Sequence, residues 1–183
     1  TRGWSPIYGV EDLAQAFVQA ARQRPELRLL MLGNGPLAPT IRRIFMNADL
    51  LDRVHFPGQV KQADLPNYYR AADLYISTSH SDGTSISLLE ALACGTPVLL
   101  TDIPGNQEWV KRGSEAGEGE GRSGWLFKDG DMASLRDGIL HALDLREQLP
   151  AMSVAARHLA ESRADWEKIF PKLFEVYRLA LSA

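Results

Sequence analysis

Two rhythms of apolar residues alternate along this chain. Short dense runs at Leu27-Arg28-Leu29-Leu30-Met31-Leu32, Val54-His55-Phe56, Leu74-Tyr75-Ile76, Pro97-Val98-Leu99-Leu100 and Gly124-Trp125-Leu126-Phe127 read as strands. Between them apolar positions recur at helical spacing, first at Val10, Leu13, Ala14, Phe17 and Ala21. Glu11 and Asp12 fall in that helix's first turn, where the dipole favours anions, and Pro25 ends it. Leu37, Ile41, Ile44 and Phe45 mark a second helix, and a brief third spans about Leu65 to Ala72 with Tyr68 and Tyr69 packing. A fourth starts at Ser85, and a short one carrying Trp109 and Val110 follows Pro104-Gly105. Three helical stretches close the chain, around Met132 to Leu145, Met152 to Ser162 and residues 166–181. The last is amphipathic through Ile169, Phe170, Leu173, Val176, Tyr177 and Ala180. The small, acidic run from Gly113 to Gly121 reads as a mobile surface loop. Strands near 27–32, 53–56, 73–77, 97–101 and 124–127, mostly separated by helices, predict right-handed crossovers. The expected fold is α/β, a doubly wound parallel sheet with helices on both faces. A fold of this kind does not by itself give a function.

Composition narrows the picture. With 183 residues, 45% hydrophobic and 23% charged, the chain suits a single domain with a sizeable core. A formal net charge of −3 gives no case for nucleic acid or an anionic membrane surface as the main partner. Cys94 is the one cysteine, so no disulfide can form within the chain, and a reducing cytoplasm is the natural compartment. Its expected role is that of a small buried hydrophobe. No stretch approaches the roughly 20 apolar residues of a membrane-spanning helix, and no signal peptide is visible. Thr1-Arg2-Gly3-Trp4 leads into a loop without an initiating Met, as if cut from something longer.

Candidate chemistry concentrates in one stretch. After Leu74-Tyr75-Ile76 comes a polar loop, His80-Ser81-Asp82-Gly83-Thr84-Ser85, then the helix Ile86-Ser87-Leu88-Leu89-Glu90-Ala91-Leu92-Ala93, then Gly95. In an open α/β sheet the loop at a strand's carboxyl end is where ligands bind. A helix starting there offers free backbone N–H groups and the positive end of its dipole to an anion. Wound at about 3.6 residues per turn, Ile86, Leu88, Leu89, Leu92 and Ala93 form one broad arc, and Glu90 is the only charge on the helix. A helix buried nearly all round is expected, and a buried unpaired carboxylate is costly. Glu90 therefore either caps a neighbouring loop or pairs with an arginine, or it is reserved for ligand hydroxyls such as those of a ribose.

Other motifs are weaker. Gly33-x-Gly35-Pro36 lacks the third glycine of a dinucleotide fingerprint and reads as a tight turn. No Walker-type Gly-Lys-Ser/Thr, nucleophile elbow or Ser-His-Asp order is present. His55, His80, His141 and His158 are scattered without partners at ligand spacing, so no metal is assigned. His141 and His158 fall on helices as surface residues, whereas His80 sits in the loop, where it can face a ligand. What remains is the anion-ready helix start, Asp82 before it, Glu90 within it, and Arg2 at the end of a strand that begins upstream.

Together these residues resemble the C-terminal, nucleotide-sugar-binding domain of GT-B glycosyltransferases of family 4, the group 1 retaining enzymes. The resemblance runs along essentially the whole chain. It is carried by Leu32-Gly33-Asn34-Gly35-Pro36, Val54-His55-Phe56-Pro57-Gly58-Gln59-Val60, Tyr68-Tyr69-Arg70-Ala71-Ala72-Asp73, the stretch around Glu90 through Val98, and Gly124-Trp125-Leu126-Phe127. It implies that residues 1–183 form one Rossmann-like donor-binding domain, the C-terminal half of a two-domain enzyme whose N-terminal acceptor domain is absent. The family's two acidic residues separated by seven others match Asp82 and Glu90. By resemblance Glu90 binds the donor ribose, and Asp82 lies beside the transferred sugar and its anomeric charge. Gly83, Thr84, Ser85, Ile86 and Ser87 present backbone N–H groups to sugar and phosphate, with Ile86 against the nucleoside. Val60 contacts the base through its backbone, and Arg2 neutralises the leaving diphosphate. Two departures stand out: Asp82 replaces the commoner Glu, and Tyr8 occupies the place of a phosphate-binding Lys, for which Lys61 is a candidate substitute.

The implied function is the donor half of a retaining, metal-independent, hexosyltransferase-like enzyme using a nucleoside diphosphate sugar, with no cofactor. Alone, the fragment is expected to bind donor without turning it over. The alternative is a non-catalytic nucleotide-sugar-binding or regulatory module, with Tyr8 the mark of a degenerate phosphate site. Expected partners are the nucleotide sugar and the absent acceptor domain, not nucleic acid. The expected location is cytoplasmic, any membrane contact of the full-length protein being made through the absent domain.

Overall fold

The computed structural model describes residues 3–115 and 122–181. Gly9, in the left-handed conformation at φ +56°, caps helix α1 (Val10–Gln23), which buries Leu13, Ala14, Phe17 and Ala21 along one face. Strand β1 (Leu29–Leu32) follows, then α2 (Ala38–Asn47), with a proline in its first turn, and β2 (Val54–Gly58). The chain continues through α3 (Leu65–Ala71), β3 (Tyr75–Ser77), α4 (Ile86–Ala93) and β4 (Val98–Thr101). It ends with α5 (Pro104–Glu115), β5 (Gly124–Phe127), α6 (Met132–Asp144), α7 (Leu149–Arg163) and α8 (Trp166–Leu181). Every helix and strand expected between residues 10 and 181 is present, with boundaries shifted by up to three residues. The largest shift is at α7, which starts at Leu149 because Pro150 is accepted in a first turn, where no intrahelical N–H is required.

Among the described residues all strand pairs are parallel, but they form two hydrogen-bonded groups rather than one five-stranded ladder. β1 pairs with β2, Leu29 opposite Val54 and Leu30 opposite His55. β4 lies between β3 and β5, with Leu99 opposite Ile76 on one side and Trp125 on the other. Side-chain alternation along β4 shows why the fold is doubly wound. Leu99 joins Trp125, Phe127, Leu135 and Ile139 under α6, while Val98 and Leu100 join Leu88, Leu92, Trp109 and Leu159 under α4 and α7. All four β4 residues are fully buried, as a central strand covered on both faces requires. A third cluster, built on Trp4, Phe17, Met31, Ile41 and Phe45, fills the space beneath α1 and α2.

Two expectations are corrected, and a third holds with a difference. Gly113 begins no loop: α5 runs to Glu115, so the first three residues of the acidic run are helical and 116–121 lie outside the described residues. Cys94 is half-buried at the carboxyl cap of α4 instead of inside the core. The amphipathic stretch 166–181 is a helix as expected, yet none of its residues is buried. No helix among the described residues is long and apolar enough to cross a membrane.

Candidate functional site

The carboxyl ends of β1 and β3 meet at one edge of the molecule, and residues 4–9 lie across it. Trp4 donates its backbone N–H to Asn34 O at 3.0 Å and its indole N–H to Leu32 O at 3.1 Å, beyond the end of β1. Tyr8 O accepts from Thr78 Oγ1 at 2.8 Å, and Ile7 O accepts from His80 N at 2.9 Å, beyond the end of β3. α4 begins at this same edge. Its start is set locally by Ser85, whose Oγ accepts from Leu88 N at 3.3 Å, the geometry of an N-cap. Ser85 and Ser87 are buried and share a hydroxyl contact of 2.8 Å, extended by Tyr75 OH at 2.9 Å from Ser87 Oγ. Gly105, at the start of α5, lies so close beneath the loop that a Cβ there would meet Asp82 O at 2.6 Å and Gly83 O at 2.8 Å. The loop is thereby pinned from below while Gly83 and Thr84 stay exposed.

Sequence reasoning located Glu90 but not what holds it. Its Oε2 accepts from Tyr69 OH at 2.9 Å and its Oε1 from Gln62 Nε2 at 2.5 Å. The carboxylate is half-buried and oriented by a phenol and an amide, and among the described residues it is not paired with an arginine. Each carboxylate oxygen has two lone-pair sites, so both can accept a further hydrogen bond. Val60 is half-buried against Leu65, Tyr69 and Ala91, which brings the loop after β2 beside Glu90. Ile86, expected on the buried arc, is 74% exposed at the mouth of the helix, because the buried arc is set by Ser87, Leu88, Ala91 and Leu92.

Of the sequence-derived candidates, Asp82, Gly83, Thr84, Ser85, Ile86 and Ser87 thus form one continuous loop and helix start, with Glu90 one turn further along and Val60 alongside. Arg2 lies outside the described residues. The Tyr8 ring packs on the cluster of Trp4 and Phe17. Lys61 is exposed, next to Gln62. His80 is occupied by two carboxylates, Asp129 Oδ1 at 2.6 Å from Nδ1 and Asp12 Oδ2 at 3.6 Å from Nε2, so it ties the loop to α1 and to the turn after β5.

A brace missed in the sequence supports the loop from its other side. Thr84 Oγ1 donates to Glu108 Oε1 and accepts from Trp109 Nε1, both at 3.3 Å. Arg163 of α7 donates to Glu108 O at 2.5 Å and covers the Trp109 ring at 4.7 Å. The partners are 25 and 55 residues apart, a separation at which no local pattern could have linked them. Among the described residues, no three His, Cys, Asp or Glu side chains cluster where they could hold a metal ion.

Chemically, the arrangement offers a helix N-terminus for an anion and, four residues along the same helix, an oriented carboxylate for hydroxyl donors. Four residues correspond to about 6 Å of helix rise. One elongated ligand with a phosphate at one end of that span and a vicinal diol at the other would satisfy both features.

Comparison with known proteins bears on this geometry. Residues 5–159 match the family described as "Glycosyl transferases group 1". The chain is similar to D-inositol 3-phosphate glycosyltransferase of Thermobispora bispora, 31% identical over 186 aligned residues that cover 96% of this chain and 41% of that protein. Its fold is similar to that of sucrose-phosphate synthase from Thermosynechococcus elongatus, with a TM-score of 0.79, 27% identity, and 97% of this chain against 43% of that one. Anabaena Alr3699/HepE in complex with UDP superposes with a TM-score of 0.82 at 23% identity, over 97% of this chain and 47% of that one. The chain spans less than half the length of each of these proteins.

Proposed function

The chain belongs to the group 1 glycosyl transferases, and we propose that it is the donor-binding half of a retaining, metal-independent hexosyltransferase that uses a nucleoside diphosphate sugar. The observation that carries this reading is the single helix that starts at an anion-ready loop and holds Glu90 by Tyr69 and Gln62. In this reading Glu90 accepts from the ribose hydroxyls, and Val60 meets the base through its backbone. Exposed Ile86 lies against the nucleoside. Residues 83–87 present N–H groups to the diphosphate as the glycosidic bond breaks, and stabilising that leaving charge is the main catalytic demand. Asp82 lies beside the transferred sugar, where its carboxylate faces the charge that builds at the anomeric carbon. Arg2 adds a cation to the diphosphate. The acceptor comes from a separate N-terminal domain, so residues 1–183 bind donor without turnover. The whole enzyme works in the cytoplasm, any membrane contact being made by that other domain.

One observation favours the alternative of a binding or regulatory module. Tyr8, at the position where the family carries a phosphate-binding Lys, is half-buried against the Trp4 and Phe17 cluster, and a phenol brings the diphosphate no positive charge. Turnover by the full-length protein separates the two readings. For the donor site itself, calorimetry or saturation-transfer NMR with UDP, GDP and ADP and their sugars is the direct test. UDP sugars come first because UDP is the ligand of the Anabaena structure. Binding of one nucleotide series is the expected result, and no binding by any of them to a folded chain overturns the reading.

A further inference from the structure

Thr84 is an exposed residue of the loop before α4, yet its hydroxyl is engaged both as acceptor and as donor. The oxygen accepts from Trp109 Nε1 and the proton goes to Glu108 Oε1, each at 3.3 Å. The preceding loop residues are held by the same helix. Gly105, one turn earlier in α5, lies against Asp82 O and Gly83 O, so α5 supports three consecutive residues of the loop. α5 is itself fastened to the sheet. Buried Asn106 donates to Thr101 O at 2.9 Å, and Trp109 O accepts from buried Ser123 Oγ at 3.3 Å.

This support brings a negative charge to a place suited to anions. A carboxylate is a strong acceptor and fixes the Thr84 hydroxyl well. It also stands one hydroxyl away from the loop, where it repels an arriving phosphate. Arg163, the last residue of α7, lies against the two residues that hold Thr84. It donates to Glu108 O at 2.5 Å, its Nη2 lies 3.4 Å from Glu108 Oε2, and its guanidinium covers the Trp109 ring at 4.7 Å. Among the described residues no other cation pairs with Glu108. The two side chains are 28% and 41% exposed, and an ion pair of that kind adds little to stability. Its consequence is for the charge and the orientation of the loop.

We propose that Arg163 is a positioning residue for the donor site: it cancels the charge of Glu108, so that Glu108 orients Thr84 without repelling the diphosphate. The proposal rests on the reading of residues 83–87 as the diphosphate-binding loop. Arg163 acts through Glu108 and Trp109 and does not touch the ligand. Charge cancellation has a signature that a loss of packing lacks, because its effect grows with the charge of the ligand.

Calorimetry on the full-length protein tests this with UDP, UMP and uridine, or with the guanine or adenine set if that base is the one bound. Arg163→Ala is expected to weaken the diphosphate about fivefold, the monophosphate less, and the nucleoside by less than about twofold. The loss should shrink as salt is raised. Adding Glu108→Gln, whose amide oxygen still accepts from Thr84, should return the diphosphate to within about twofold of the unmutated protein. No loss, an equal loss for all three ligands, or no recovery in the double variant overturns the proposal and leaves the donor site standing. If Arg163→Ala does not fold, Glu108→Gln alone decides. With Arg163 then uncompensated, the diphosphate should bind about threefold more tightly and the nucleoside as before, and an unchanged diphosphate affinity overturns the proposal. If the unmutated protein binds none of the nucleotides, the donor reading itself fails and the proposal falls with it.

Discussion

α4 and α8 are both rich in apolar residues, and they meet opposite fates. α4 has eight residues and buries Leu88, Ala91 and Leu92 completely, with its start fixed by Ser85 and its one charge held by Tyr69 and Gln62. α8 is twice as long and buries nothing: Trp166, Phe174 and Leu181 are 68%, 57% and 90% exposed. Its aromatic residues contact one another instead, Trp166 on Phe170 and Phe170 on Phe174, with ring centroids 4.6 and 4.9 Å apart. The contrast teaches that apolar periodicity specifies a face, whereas burial requires something to lie against it. α4 has β4 and α7 on that face, and this backing holds its exposed end in place.

Mutations can break the comparison at graded strength. Leu92→Ala should be the most damaging, because it leaves a cavity in a fully packed site, with an expected loss of about 2–5 kcal/mol in a denaturant melt. A loss below about 1 kcal/mol would mean that α4 is not held as tightly as its burial implies. Glu90→Ala should leave a folded protein whose nucleotide affinity falls by about 1.5–3 kcal/mol, the range for a hydrogen bond to a charged group. Calorimetry reads this directly, and unchanged affinity would remove Glu90 from the ribose site.

Gln62→Ala sharpens the same point. Gln62 is exposed, so losing its bond to Glu90 should cost under about 1 kcal/mol of nucleotide affinity, with the melting temperature essentially unchanged. An effect as large as that of Glu90→Ala would indicate that Gln62 touches the ligand itself. Val176→Ala in α8 is the smallest. At 60% exposure and with no buried neighbour in its helix, the change should stay within about 0.5 kcal/mol by thermal melt. A larger loss would show that α8 has found a surface to cover it in solution.

Much of the candidate site's geometry was legible because its signals are local. A cap serine at position 85, a polar loop before it and a lone glutamate one turn into an apolar helix sit within eleven residues of the sequence from His80. Asp82 and Glu90 could be singled out for the same reason. Gln62 and the Thr84–Glu108–Arg163 brace could not, since their partners come from other elements, and a glutamine before a short helix looks like any surface residue. Ile86 was misplaced because an eight-residue helix is too short for its pattern to separate the buried arc from an exposed end.

By itself, then, the sequence determined the elements, their alternation and the parallel fold class, along with the place where an anion could meet a helix. Each is encoded by periodicity, caps and turn residues acting over a few positions. Only the tertiary structure decided that Glu90 is steered by a tyrosine and a glutamine, that α8 buries none of its residues, and that β4 is the strand covered on both faces. Those features depend on which surfaces come together across long stretches of chain, and neighbouring residues carry no record of that.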